Sequence, residues 1–259
     1  MKKWNFTIGL AIAVVAGPSL ATAADPESRI DLSHWKLTLP TDASNRFSGH
    51  PSEVSASKLV AGFQNAYFQT DARGHLVFWC PVNGATTEGT EFPRSELREM
   101  PDPNAPDVNW PAHGTHILDA RCRVMQVPSN SKVIIGQIHS YTGKTKPLIK
   151  LQYFKGRVEA LVKVSPNAGK DKKLTFSGGD LNSEIAYQIK LHDGVLTVTV
   201  NGVTQTQNIL QNDNDWADQT FYFKAGVYPQ DNEGDATEGA RVVFTALNVT
   251  HHPNRFSSK

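Results

Sequence analysis

Ala186-Tyr-Gln-Ile-Lys-Leu-His-Asp-Gly-Val-Leu-Thr-Val-Thr-Val-Asn-Gly202 is the stretch that decides the fold. Apolar and polar residues alternate from Ala186 to Leu191 and again from Val195 to Val200, the period of half-buried strands. His192-Asp193-Gly194 separates the two runs, and Asn201-Gly202 closes the second with the dipeptide that favours a type I′ hairpin. The same rhythm continues on both sides: His75 to Cys80, Thr115 to Val127, Lys132 to Tyr141, Leu148 to Phe154, Arg157 to Val164, Thr220 to Tyr228 and Arg241 to Thr250. Lys155-Gly156 marks a further tight turn, and only Ser52 to Gln64 has a weak helical pattern. Roughly ten short strands joined by tight turns predict an all-β jelly-roll sandwich of two antiparallel sheets. Such a fold serves binding modules and enzymes alike, so function has to be read from side chains.

The chain has 259 residues, with 26 Lys plus Arg against 25 Asp plus Glu. That balance disfavours a nucleic-acid-binding surface, which needs a basic excess. Lys2 and Lys3, an apolar run from Ile8 to Val15 and Ala21-Thr22-Ala23 follow the order of a secretory signal peptide, residues 1–23. Its removal leaves 24 basic and 25 acidic residues in a single domain, 24–259. The mature protein is expected to be secreted, to the periplasm or the medium, with no membrane segment. Export makes a disulfide between Cys80 and Cys122 the economical expectation, with two buried free thiols as the alternative.

Three strands break the usual alternation of core and surface. Period two puts Arg94, Glu96 and Arg98 on one face, Gln137 and His139 on another, and Tyr222, Lys224, Tyr228 and Gln230 opposite Phe223, Ala225 and Val227. If these strands are neighbours in one curved sheet, they form a polar, net-positive groove. The parts suit β-elimination on a uronic acid polymer. An Arg fork and a Gln neutralise the carboxylate, His takes the C5 proton, and Tyr protonates the leaving O4 or, with its pKa lowered by cations, acts as base.

Arg94-Ser-Glu-Leu-Arg98, Gln137-Ile-His139 and Tyr222-Phe-Lys-Ala-Gly-Val-Tyr-Pro-Gln230 resemble, in order, the signature blocks of alginate lyases of polysaccharide lyase family 7. Asp31-Leu-Ser-His-Trp-Lys-Leu-Thr-Leu-Pro40 is similar to the opening of that domain, so the likeness spans nearly all the mature chain. The resemblance implies a jelly roll whose concave sheet binds alginate, with Arg94, Gln137, His139 and Tyr228 catalytic. It places Arg98, Lys224 and Gln230 against substrate. Tyr222 belongs to the same face, and Glu96 is expected to orient the two arginines. Pro229 stands where many members have Asn, on the opposite face from Tyr228. In guluronate the C5 hydrogen and O4 are anti, which suits His139 as base and Tyr228 as acid; in mannuronate they are syn, and Tyr228 could serve as both. Ile138 at the middle of Gln-x-His accompanies, in the family, activity on guluronate-containing blocks.

Lys144 and Lys146, in the loop after His139, are expected to meet the polyanion, as a lid or as a solvated segment. The turn from Asp231 to Asp235 lacks the spacing of a calcium cage, and His113/His116 and His251/His252 lack a further ligand set. No metal and no cofactor are expected, and the enzyme is expected to be a monomer acting endolytically. Two other classes stand as alternatives: a carbohydrate-binding module, which would not need His and Tyr among cations, and a glycoside hydrolase, which would need facing carboxylates.

Overall fold

The computed structural model describes residues 30–142, 146–211 and 214–252. The signal-peptide expectation and Lys144 therefore fall outside the described residues. In chain order the elements are β1 (Trp35–Thr38), β2 (Glu53–Val54), α1 (Ala56–Val60), β3 (Phe68–Thr70), β4 (Leu76–Pro81), β5 (Ser95–Glu99) and β6 (Trp110–Pro111). There follow β7 (Thr115–Gln126), β8 (Lys132–Ser140), β9 (Pro147–Phe154), β10 (Arg157–Val162), β11 (Lys172–Ser177), β12 (Glu184–His192), β13 (Val195–Val200), β14 (Val203–Asn208), β15 (Thr220–Pro229) and β16 (Gly239–His252). The helix covers only the middle of the expected segment.

Two antiparallel sheets make the jelly roll. One, of nine strands, runs β11-β10-β9-β8-β15-β5-β1-β2 with β6 also paired to β15; the other, of seven, runs β14-β13-β12-β7-β16-β4-β3. The hairpin turns take the backbone their residues favour: Lys155 and Gly156, Asp193 and Gly194, and Asn201 and Gly202 all have positive φ, as a type I′ turn requires at both central positions. Between the sheets lies one apolar cluster, to which β15 contributes Phe221, Phe223, Ala225 and Val227 and β8 contributes Val133, Ile135 and Ile138. The opposite faces of these two strands are thereby left to line the groove.

β15 enters late in the chain yet pairs with β8 on one side and β5 on the other. Lys224 is thus in register with both Gln137 and Arg98, and Tyr222 with His139. An irregularity in β8 shapes this region. β8 carries one extra residue against β9 between Ile134 and Gly136, and the Ile135 carbonyl there accepts a 2.9 Å bond from the Tyr187 hydroxyl of the other sheet. A Cβ at Gly136 would lie 2.8 Å from that hydroxyl, so the glycine makes room for the inter-sheet bond next to Gln137.

The disulfide expectation is corrected. Cys80 and Cys122 are buried free thiols, and burial raises both thiol pKa values. Cys80 lies opposite Ala240 and Cys122 opposite Phe244, so β16 runs between them and they are staggered by four residues. Two strand spacings of about 4.8 Å and roughly 13 Å of stagger far exceed the ~7 Å Cα separation a disulfide can span.

Candidate active site

Alternation along β5 sends Arg94, Glu96 and Arg98 to the groove and Leu97 to the core. Glu96 is 1% exposed and is the hub. Its Oε1 accepts a 2.5 Å bond from Gln137 Nε2, and its Oε2 receives the Lys224 ammonium and, at 3.3 Å, Arg94 Nη1. Burial pushes this carboxyl up, but the charges of Lys224 and Arg94, with bonds from Lys224 and Gln137, hold it below its ordinary value. The cations outnumber the carboxylate. Burial, with Arg94 and Arg98 adding to it and Glu96 opposing, brings Lys224 down to about 8. β15 can lie close enough to β5 for these contacts because residue 226 is glycine. Its φ is 148°, and a Cβ there would lie 2.7 Å from the Ser95 carbonyl oxygen and 2.8 Å from Glu96 Cα.

Arg94 is 6% exposed, and its guanidinium carbon lies 3.9 Å from the centre of the Tyr228 ring. Its Nε and Nη2 are buried without a hydrogen-bond partner among the described residues. Burial raises the Tyr228 pKa, and nearby Arg94 opposes this, so the phenol is protonated at neutral pH. That removes the cation-depressed phenolate considered from sequence. Gln230 approaches the same hydroxyl.

His139 Nδ1 is 2.8 Å from the Ser140 carbonyl oxygen. A carbonyl can only accept, so Nδ1 carries the hydrogen and Nε2 presents a lone pair. Burial, then the charge of Lys224, with Arg94 adding to it against the Ser140 carbonyl and Glu96, lowers this histidine to about 4. The ring stacks on Tyr222 at 5.5 Å between centroids, and Tyr222 in turn covers the Arg98 guanidinium at 4.2 Å.

A groove of about 580 Å³ opens over this face, lined by Arg94, Arg98, His139, Tyr222 and Lys224 together with Lys36, Tyr141 and Lys146. The sequence-based site residues are therefore brought together, apart from Lys144, which lies outside the described residues. One expectation is corrected: Glu96 touches Arg94 but does not orient Arg98. Arg98 is held instead by the Pro106 carbonyl and Asn109 Oδ1, each at 2.9 Å, and by Met100 Sδ. Sequence reasoning missed Lys36, whose register partner is Arg98, and Tyr141, which stacks edge-on against Tyr222. The alternation Lys36-x-Thr38 was the available signal for the first.

Residues 30–251 match the family described as alginate lyase. The chain belongs to that family. Among solved structures it is similar to alginate lyase A1-II′, a member of polysaccharide lyase family 7, with 37% identity over 88% of this chain and 99% of that one and a TM-score of 0.80. An alginate lyase from Pseudomonas aeruginosa is 40% identical, with 86% of this chain and all of that one covered and a TM-score of 0.78. A curated alginate lyase of Klebsiella pneumoniae is 26% identical over 95% of this chain and 97% of its own length. The protein is thus a family 7 poly(uronate) lyase. In this lyase Ile138 is fully buried in the core, so any influence on block preference passes through packing and not through contact with sugar.

Proposed function

We propose that this lyase cleaves the 1,4 bonds of alginate by β-elimination, with Arg94 and Gln137 on the uronate carboxylate, His139 as base and Tyr228 as acid. The observation that carries the reading is the pair of buried, unpartnered donors on Arg94, since donors left unsatisfied in a buried site call for an acceptor from outside. A uronate carboxylate seated there has its charge offset as the C5 proton leaves. His139 Nε2 takes that proton, the C4–O4 bond breaks, the C4=C5 double bond forms, and Tyr228 gives its proton to O4. No water is consumed. Arg98, Tyr222, Lys224, Gln230 and Lys146 line or flank the sugar path, and Glu96 holds Arg94, Gln137 and Lys224 in position.

Endolytic action is supported by the place of the site in the sheet. β15 has β8, β9, β10 and β11 on one side and β5, β1 and β2 on the other, so a polymer can continue past the reacting bond in both directions. Preference for guluronate-containing blocks follows from the separate base and acid. It is supported by A1-II′, which was crystallised with the substrate GGMG as a variant carrying a His to Asn and a Tyr to Phe change. Secretion through the leader at 1–23 and action as a monomer complete the proposal.

The test is to add alginate to the mature protein and follow ultraviolet absorbance, because elimination creates a conjugated double bond and hydrolysis does not. Chain scission without absorbance gain would refute the reading. Tyr228→Phe is expected to abolish turnover on all blocks, and His139→Ala to impair guluronate blocks at least as much as mannuronate blocks.

A further inference from the structure

Behind the groove, on the core face of β5, lies a carboxylate that the proposed chemistry does not use. Glu99 is 2% exposed. Its Oε2 accepts the Phe223 backbone N–H at 2.8 Å and the Trp110 indole N–H at 2.9 Å, and its Oε1 faces His251 Nε2 at 2.5 Å. The bond to Phe223 fills a gap in the sheet. β15 pairs with β6 at Thr220 and Phe221 and with β5 from Lys224 onward, so neither strand supplies a partner for Tyr222 or Phe223. The carboxylate stands in for the missing backbone acceptor, midway between two groove residues, Tyr222 and Lys224.

The protons of this cluster can be counted from its hydrogen bonds. His116 Nε2 is 3.0 Å from the His113 carbonyl oxygen and must donate to it. Burial lowers His116 to about 4, so the ring is neutral and its Nδ1 is a lone pair. That atom is 2.8 Å from His251 Nδ1, which must therefore carry a hydrogen. Glu99 already accepts two N–H donors on Oε2, an arrangement that favours the ionised carboxylate. An ionised Oε1 can only accept from His251 Nε2. Both nitrogens of His251 are then protonated, and the ring is a cation paired with Glu99.

We propose that Glu99 is a positioning residue of this lyase, kept ionised by a protonated His251 backed by His116, and that it acts through the Phe223 amide to set Tyr222 and Lys224 in the groove. Lys224 passes the effect to Glu96 and so to Arg94 and Gln137, while Tyr222 passes it to the ring of His139. The inference rests on the elimination reading.

Two variants and one spectroscopic measurement test it. Glu99→Gln keeps an oxygen for Phe223 and Trp110, and its amide N–H can donate to a neutral His251. Glu99→Met keeps the length and removes the acceptor. From the sensitivity of such reactions to small misplacements, kcat of Glu99→Met is expected to fall about ten- to a hundredfold. KM should rise as well, since Tyr222 and Lys224 both line the groove, and Glu99→Gln should recover most of both losses. Nitrogen-15 spectra of the wild-type side chains should show both His251 nitrogens protonated at neutral pH, and Glu99→Gln should show a neutral ring. A folded Glu99→Met with wild-type kcat, a Glu99→Gln as impaired as Glu99→Met, or a neutral His251 in the wild type would each overturn the proposal. The spectrum of the wild type decides even if Glu99→Met does not fold. Failure of the elimination reading is distinguishable, because wild-type protein would then give no absorbance gain.

Discussion

Replacing Glu96 by Gln keeps the shape of the hub and removes its charge. The hydrogen bonds can be remade, because the new amide can donate to a turned Gln137 while its oxygen accepts from Lys224 and Arg94. What cannot be remade is the counter-charge for two buried cations, one of them Arg94 with two donors already unpartnered. Breaking a buried ion pair by removing one partner costs about 3–5 kcal/mol. Lys224 offers an escape: its pKa is about 8 even with Glu96 beside it, so giving up its proton at pH 7 costs at most about 1.4 kcal/mol. The arginine has no such route, so the loss should fall at the low end, about 3 kcal/mol. For a chain of this size that lowers Tm by roughly 6–12 °C. The assay is thermal unfolding at pH 7, paired with activity against pH. Without Glu96 to support its charge, Lys224 should titrate below 8, and the alkaline loss of activity should move to lower pH with it. A Tm within about 2 °C of wild type, with the alkaline limb unmoved, would show that Glu96 is not the counter-ion of the groove.

The pH profile of the wild type gives a second prediction. His139 is a base only when neutral, so kcat/KM should fall as pH drops through about 4, and not near the ordinary histidine value of 6.5. On the other side, activity should decline as Lys224 loses its charge near pH 8. The folded pKa of Lys224 lies below its ordinary 10.5, so its burial costs stability that is regained between about 8 and 10.5. Alkaline inactivation from this residue should therefore occur without a fall in Tm. An acid midpoint near 6.5 would contradict the His139 environment. Gly226→Ala should separate β15 from β5 at Glu96, lowering stability by about 1–3 kcal/mol as overpacking does and reducing activity, both measurable by unfolding and initial rates; unchanged values would mean the close approach is not needed. Reducing agent should leave Tm unchanged, since Cys80 and Cys122 are free; a fall would imply a bridge.

Much of this was legible because strands write their faces into a period of two. The alternation in Tyr222-Phe-Lys-Ala-Gly-Val-Tyr228 separates groove from core correctly, and the Asn-Gly, Asp-Gly and Lys-Gly pairs mark their turns. Adjacency of the three polar strands was an inference from chemistry, which the register of Lys224 with Gln137 and Arg98 bears out. What alternation could not supply was distance between strands far apart in sequence. The cysteines fell outside bonding range because β16 lies between their strands. Glu99 went unread because its partner His251 is 152 residues away and because an odd position on β5 looks like core. Arg98 went to a loop carbonyl and an Asn, contacts that leave no trace in a strand pattern. The lowered His139 and the raised Tyr228 arise from burial, which depends on everything packed around them.

The central position of β15 has a consequence for how the enzyme comes into being. The strand bearing Tyr222, Lys224 and Tyr228 is the second to last of the described strands, yet it must slot between two strands made much earlier, β5 and β8. Until it arrives, Arg94 and Glu96 have no ammonium beside them, and His139 has no ring to stack on. A chain still being synthesised therefore lacks the complete site until β15 has been made. Activity therefore requires β15 to be paired with both β5 and β8, so its appearance during refolding reports that both pairings have formed.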